Sequence, residues 1–290
     1  MHSTYDVRPF AFSNAIGEVG DATSQSPLDP LPPRPRSVLR NWPMLLLVVN
    51  FVALLLLIAL LVSVAIERRG VNRFARAHVA EGRDPWRQAH ALAGAIHACV
   101  ARRDDDPLFL STALAPIGAA PMTVVRDGGC CSGISRLYIL ALDAIDVSAA
   151  QVTLYHKDGH AQHCLVEVTV NETRQVIDPT YGFAFETHDG RPMSLDALQA
   201  GNVPRFVPLP QSSATSYPRN EYYAFNYAAT KTANWTRSWQ RRLAYHALSA
   251  WRVISVDRLR VPAALEWPHL ILAAGIAAII VSVNCVAAFM

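Results

Sequence analysis

The chain has 290 residues, of which 51% are apolar and 17% are charged, and its formal net charge is +3. A soluble domain carries about a quarter charged residues, so part of this chain avoids charge. The composition excludes a disordered or fibrous protein, and the near-neutral charge gives no reason to expect nucleic-acid binding. Five cysteines without a Cys-x-x-Cys pattern indicate neither a disulfide scaffold nor a zinc finger.

The first 43 residues are irregular and rich in Ser, Asp and Pro. Five prolines lie within residues 27–35, and Arg34 and Arg36 flank the last of them. Such a composition cannot bury a core and favours extended chain where the prolines cluster. We therefore predict a disordered, Pro-rich tail over residues 1–43.

Two segments are apolar over the length of a bilayer. Residues 44–66 contain only Asn50 and Ser63 as polar members, and residues 270–290 are almost as apolar. Because about 20 apolar residues cross a membrane as a helix, we predict a transmembrane helix in each segment and the lipid bilayer as a partner. A signal peptide for the first and a buried C-terminal helix for the second are the alternatives. The charges flanking the segments leave open which face of the membrane the intervening residues occupy.

Residues 67–267 have the length of one globular domain. Helices are predicted at 85–102, 131–145, 194–200 and 232–256 from caps and apolar periodicity, and a loop at 107–122. Strands are predicted at 151–155, 163–170 and 175–178 from alternation and turn signals. The fold class is therefore α+β, with the Cys131 helix on an antiparallel sheet and a transmembrane helix on either side of the domain.

A cysteine pair lies at the start of the second predicted helix. Gly128 and Gly129 precede Cys130 and Cys131, and glycines allow a substrate to approach the backbone closely. Free N–H groups at a helix N-terminus stabilise a thiolate. A thiolate also needs a base and a carboxylate to orient it. His163 begins one predicted strand and Asp178 ends the next, so antiparallel pairing would bring them together.

These residues resemble three motifs of the transglutaminase-like superfamily, whose core is related to papain-like cysteine enzymes. Gly-x-Cys at the start of a helix is matched by residues 129–131, His followed by Val-Glu-Val by 163–168, and Asp-Pro-Thr by 178–180. The resemblance covers about residues 124–182. It departs from the family at Ser135, where many members have Ala, and at Leu165, where many have an aromatic residue.

The resemblance implies a catalytic Cys131, His163 and Asp178. The family spacing from the cysteine to Gly129 and Leu137 fits Cys131 and not Cys130. Glu167 lies on the same strand face as His163. The pattern fits equally well a carboxylate that supports the catalytic residues and one that is simply exposed to solvent. We read the remaining cysteines as small buried apolar residues, and they are Cys99, Cys164 and Cys285.

The implied function is acyl transfer at an amide or peptide bond, with hydrolysis favoured over cross-linking and with no cofactor or metal. The substrate would be a protein, a peptide or another amide. The likeness to bacterial members implies a protein of the bacterial inner membrane. The alternative is a catalytically silent module of the same fold that acts as a membrane-held binding or assembly protein, for example in cell-surface polysaccharide production.

Overall fold

The computed structural model describes residues 42–80, 82, 84–107, 117–211, 222, 225–232, 239–251, 256, 259–261 and 263–289. The predicted tail at 1–43 lies outside them except for its last two residues, which begin the first helix. Residues 46–290 form one compact unit. In chain order the α-helices are α1 (Trp42–His78), α2 (Pro85–Cys99), α3 (Pro121–Asp127), α4 (Cys131–Asp143), α5 (Leu195–Gln199), α6 (Trp239–Trp251) and α7 (Pro268–Phe289).

Five strands form one antiparallel sheet in the order in which they occur along the chain. They are β1 (Ser148–Tyr155), β2 (Ala161–Val170), β3 (Thr173–Asp178), β4 (Phe183–Glu186) and β5 (Arg205–Pro208). The fold class is thus α+β, as the sequence predicts. Short turns join β1 to β2 and β2 to β3, so these three strands form a meander.

The sheet is covered on both faces, which explains why β2 is buried along most of its length. Val166, Val168 and Val170 face α4 in a core that also holds residues of α2. Leu165, on the opposite face, belongs to a second core with Phe185 and residues of α5. Alternating side chains of a strand point to opposite faces, so one strand supplies both cores.

Four elements differ from the sequence prediction. α3 begins at Pro121, inside the stretch predicted as loop, with Pro at the first helical position; residues 108–116 of that stretch lie outside the described ones. β4 and β5 have four residues each and were not predicted. The long helix predicted at 232–256 is described as helical only over α6, since residues 231–232 lie in a bridge and a bend.

α1 and α7 are long and apolar enough to cross a membrane. The apolar window of α1 is 0% buried in the protein and that of α7 is 6% buried. A core helix would be mostly buried, so α7 is not the buried C-terminal helix that was the alternative interpretation. The two helices contact each other through Asn50 and Asn284, whose side-chain amides exchange hydrogen bonds of 3.1 and 2.9 Å.

Both helices also contribute to the core beneath α4. Val71 and Ala75, near the end of α1, are completely buried in the first core. Trp267, directly before α7, is buried in the same core. The Glu67 carboxylate accepts a hydrogen bond of 3.0 Å from the Met122 amide at the start of α3. The α+β domain is therefore built onto the ends of α1 and α7.

Candidate active site

The loop before α4 is fixed by backbone pairing with an upstream segment. The Gly129 amide donates to the Ala101 carbonyl at 3.0 Å, and the Arg103 amide donates to the Gly129 carbonyl at 2.9 Å. Gly128 has a φ of 82°, a conformation that a residue with a Cβ rarely adopts. This pairing holds the backbone at the entrance to α4 in one conformation.

Asp106 caps the N-terminus of α4 from the same upstream segment. Its carboxylate accepts hydrogen bonds from the Cys130 amide at 3.0 Å and from the Ser132 hydroxyl at 3.3 Å. A carboxylate at this position satisfies free N–H groups and interacts favourably with the helix dipole. A Cβ on Gly133 would come within 2.1 Å of Asp106 Oδ1, so the cap requires glycine there.

The two adjacent cysteines have different surroundings. Cys130 is the N-cap residue of α4, and its sulfur lies 3.3 Å from the Ser132 hydroxyl. A hydrogen bond with Cys131, burial and the Asp106 charge raise the pKa of the Cys130 thiol. Cys131 is the first residue of the helix, and its thiol is among the groups that raise the pKa of His163. Both Cys131 and His163 line the same cavity.

His163 and Asp178 lie on neighbouring strands and on the same face of the sheet. Val166 pairs with Ile177, and continuing this register places Asp178 diagonally across from His163. His163 Nε2 lies 2.8 Å from Asp178 Oδ2. The carboxylate is completely buried, and His163 is 8% exposed.

The Asp178 carboxylate is held by its own turn. Its Oδ1 accepts hydrogen bonds from the Thr180 amide at 2.8 Å and from the Tyr181 amide at 3.0 Å. A side chain that bonds the backbone two and three residues later fixes its own rotamer. Oδ2 therefore remains directed at His163.

Tyr222 also contacts this histidine–aspartate pair, and no sequence motif indicates it. Its hydroxyl hydrogen-bonds Asp178 Oδ2 and lies 3.0 Å from His163 Nε2. Its ring is completely buried and meets the His163 ring edge-on, with centroids 5.8 Å apart. Nε2 of His163 therefore has two partners, Asp178 and Tyr222.

The electrostatics of the site favour a protonated imidazole. Burial of the ring lowers the pKa of His163, but the Asp178 charge, the hydrogen bond to Asp178 and the Cys131 thiol outweigh burial and raise it to about 10. The imidazole of His163 can therefore act as a proton donor at neutral pH.

A cavity of about 550 Å³ opens over these groups. Cys131, His163 and Tyr222 line it, together with Arg102 and Tyr181. A volume of this size accommodates a short peptide segment or a similar small molecule. The thiol and the imidazole are therefore accessible to a ligand.

The other residues that the sequence singled out lie elsewhere. Glu167 is buried, so the option of an exposed strand carboxylate is wrong; it accepts hydrogen bonds from the Leu195 amide at 2.9 Å and from Arg260 at 2.7 Å. Cys164 is buried as predicted, whereas Cys99 and Cys285 are exposed, which corrects the expectation for those two. Within the described part of the chain, no three His, Cys, Asp or Glu residues form a group that could hold a metal ion.

Comparison with known proteins adds little to this geometry. No protein-family model and no curated protein matches the sequence. Among solved structures, the chain is similar to a "putative protease" from Parabacteroides distasonis, with 15% identity and a TM-score of 0.31. The match covers 38% of this chain and 23% of that one, so the chain spans less than a quarter of the other protein. A likeness at this level carries no argument about the fold or the function.

Proposed function

We propose that this protein is a membrane-anchored cysteine enzyme of the transglutaminase-like type, which transfers the acyl group of an amide or peptide bond to water. The observation that carries the proposal is that Cys131 and His163 line one cavity, and that the His163 imidazole is hydrogen-bonded to the buried Asp178 carboxylate. The three sequence motifs that resemble the superfamily supply the same three residues. α1 and α7 would be the two membrane spans.

The proposed reaction begins with attack of the Cys131 sulfur on the carbonyl carbon of the amide. The carbon–sulfur bond forms, the carbon–nitrogen bond breaks, and the imidazolium of His163 gives its proton to the leaving amine. In this proposal the backbone N–H of Cys131, at the N-terminus of α4, stabilises the negative oxygen of the tetrahedral intermediate. The product of this half-reaction is a thioester on Cys131.

Water then attacks the thioester. The neutral His163 accepts a proton from that water, the carbon–sulfur bond breaks, and a carboxylic acid is released. Asp178 keeps the imidazole oriented in both half-reactions and stabilises its charged form. Tyr222 contributes to the same orientation through its hydroxyl. A primary amine in place of water would give cross-linking by the same steps.

Alkylation of the full-length protein by iodoacetamide tests whether the thiol is activated. Trypsin releases residues 127–136 as one peptide that contains both cysteines, so fragmentation in the mass spectrometer locates the label on one of them. We expect Cys131 to react first near neutral pH and His163→Ala to slow its reaction. Cys130→Ala is the matched control and should leave the rate at Cys131 largely unchanged.

Turnover is tested on a mixture of short peptide amides by the appearance of free amine. Cys131→Ala should abolish this release while leaving the thermal unfolding transition in place, and Cys130→Ala should retain most of it. Preferential labelling of Cys130, or a Cys131 rate that does not depend on His163, would contradict the proposal and favour a non-catalytic binding module.

A further inference from the structure

One wall of the cavity carries an arginine stacked on an aromatic ring. Arg102 lies with its guanidinium carbon 4.5 Å from the centre of the Tyr181 ring. The Tyr181 ring centre lies 5.4 Å from that of His163. The guanidinium is therefore at most about 10 Å from the imidazole, and all three side chains line the same cavity.

Both members of this stack are tied to the site itself. The backbone of Arg102 forms a bridge with Gly129, two residues before Cys131. The backbone amide of Tyr181 donates to the Asp178 carboxylate at 3.0 Å. The stack is thus positioned by the loop that carries the thiol and by the turn that carries the carboxylate. Pre-organisation of this kind reduces the entropic cost of binding a ligand.

The guanidinium retains its hydrogen-bonding capacity. A guanidinium carries five N–H donors in one plane, and contact of its carbon with an aromatic ring does not use them as hydrogen bonds. Among the described residues, no carboxylate forms an ion pair with Arg102. Arg103 and Asp104 also line the cavity, so its rim carries two cations and one anion, besides His163.

We propose that Arg102 binds a carboxylate of the substrate, and that the substrate is an anionic peptide or amide. This inference rests on the proposed function, because it assigns a substrate class to the same site. An extended chain advances about 3.3–3.6 Å per residue. The distance limit of about 10 Å therefore places the recognised carboxylate within roughly two or three residues of the bond that is cleaved. A C-terminal carboxylate or an acidic side chain meets this requirement.

Two alkylating probes of equal size test the inference without a known substrate. N-iodoacetylglycine carries a carboxylate at the end that does not react with the thiol, and N-iodoacetylglycinamide carries a neutral amide there. The measured quantity is the ratio of their second-order rate constants at Cys131, obtained from the peptide of residues 127–136. Any difference in intrinsic reactivity between the two probes is the same in every variant. It therefore cancels when the ratio in one variant is compared with the ratio in another.

We expect Arg102→Met to lower the ratio of the rate constants for the acidic and the neutral probe by about threefold to tenfold. This is the size of effect expected for an ion pair that is only partly shielded from solvent. Arg102→Lys should retain part of the preference, because it keeps the charge and loses the planar donor set. Arg191→Met is the matched control, since Arg191 is an exposed arginine paired with Asp189 at 2.6 Å and does not line the cavity. It should leave the ratio unchanged.

An unchanged ratio in Arg102→Met would overturn the inference. If both rate constants fall by the same factor, the ratio is also unchanged, and the contact between Arg102 and Tyr181 then has a structural role. Failure of the proposed function gives a different result. In that case His163→Ala would react with both probes at the same rates as the wild type. A lowered ratio in Arg102→Met supports the carboxylate site irrespective of the outcome with His163→Ala.

Discussion

Substitution of Glu266 by Ala should destabilise the protein strongly, although Glu266 lies outside the candidate site. Its carboxylate lies 3.0 Å from Nε of Arg136, and the side chains of this pair are 2% and 3% exposed. Arg136 belongs to α4, the helix that begins at Cys131, and Glu266 immediately precedes Trp267 and α7. The substitution would leave the guanidinium buried without its counter-charge.

The magnitude follows from the burial. Removing one member of a buried ion pair costs about 3–5 kcal/mol, because the remaining charge keeps its desolvation penalty and loses its partner. A domain is stable by about 5–15 kcal/mol in total, so a substantial part of the free energy of unfolding is lost. For a domain of 150–250 residues this corresponds to a decrease in Tm of roughly 6–20 °C.

Thermal unfolding of the full-length protein in detergent micelles, followed by near-ultraviolet circular dichroism, measures this effect. Asp127→Ala is the matched control, since it breaks the Arg126–Asp127 pair, whose side chains are 73% and 37% exposed. Solvent screens an exposed pair, so the control should shift Tm little.

The double substitution Arg136→Met with Glu266→Leu separates the charge effect from the loss of packing. It removes both charges and fills the space with apolar atoms, so we expect it to be more stable than Glu266→Ala alone. A decrease in Tm for Glu266→Ala that is no larger than the decrease for Asp127→Ala would refute the reasoning. A double variant no more stable than the single one would refute it as well.

Three further predictions concern the site. Tyr222→Phe removes a hydroxyl bonded to Asp178 and should lower the free energy of unfolding by about 1.5–3 kcal/mol in a denaturant titration. Asp178→Asn removes the charge that contributes most to raising the pKa of His163, which all its surroundings together raise from 6.5 to about 10. Such stabilisation is complete below pH 6.5 and lost as the pH rises towards 10, so the wild type should exceed Asp178→Asn in stability by more at pH 6 than at pH 10. Gly133→Ala displaces the Asp106 cap and should lower Tm by an amount equivalent to about 1–3 kcal/mol.

The strands around His163 could be predicted because their determinants are local. Residues 163–170 alternate in sequence, and polar turns separate this segment from its neighbours on either side. The position of Cys131 at a helix start follows from the glycines before it and the apolar periodicity after it. Short-range patterns of this kind fix an element with little help from tertiary contacts.

The partners that complete the site come from distant segments without a local signature. Tyr222 lies 44 residues beyond Asp178, and Asp106 lies 24 residues before Cys130. Neither residue sits in a motif, and each reaches its partner only through the folded chain. The same holds for Arg102, whose stacking on Tyr181 joins two segments that the sequence does not relate. β4 and β5 were missed because four residues give too short an alternation.

The attachment of the domain to α1 and α7 affects how the site is held. A flexible linker would let a domain move independently of its membrane anchors. Here α1 places Val71 and Ala75 in the core that supports α4, and the segment before α7 places Glu266 against Arg136 on α4 itself. Close-packed interiors transmit displacement, because they contain little free volume. The helix that carries Cys131 is therefore supported directly by α1 and by the segment before α7.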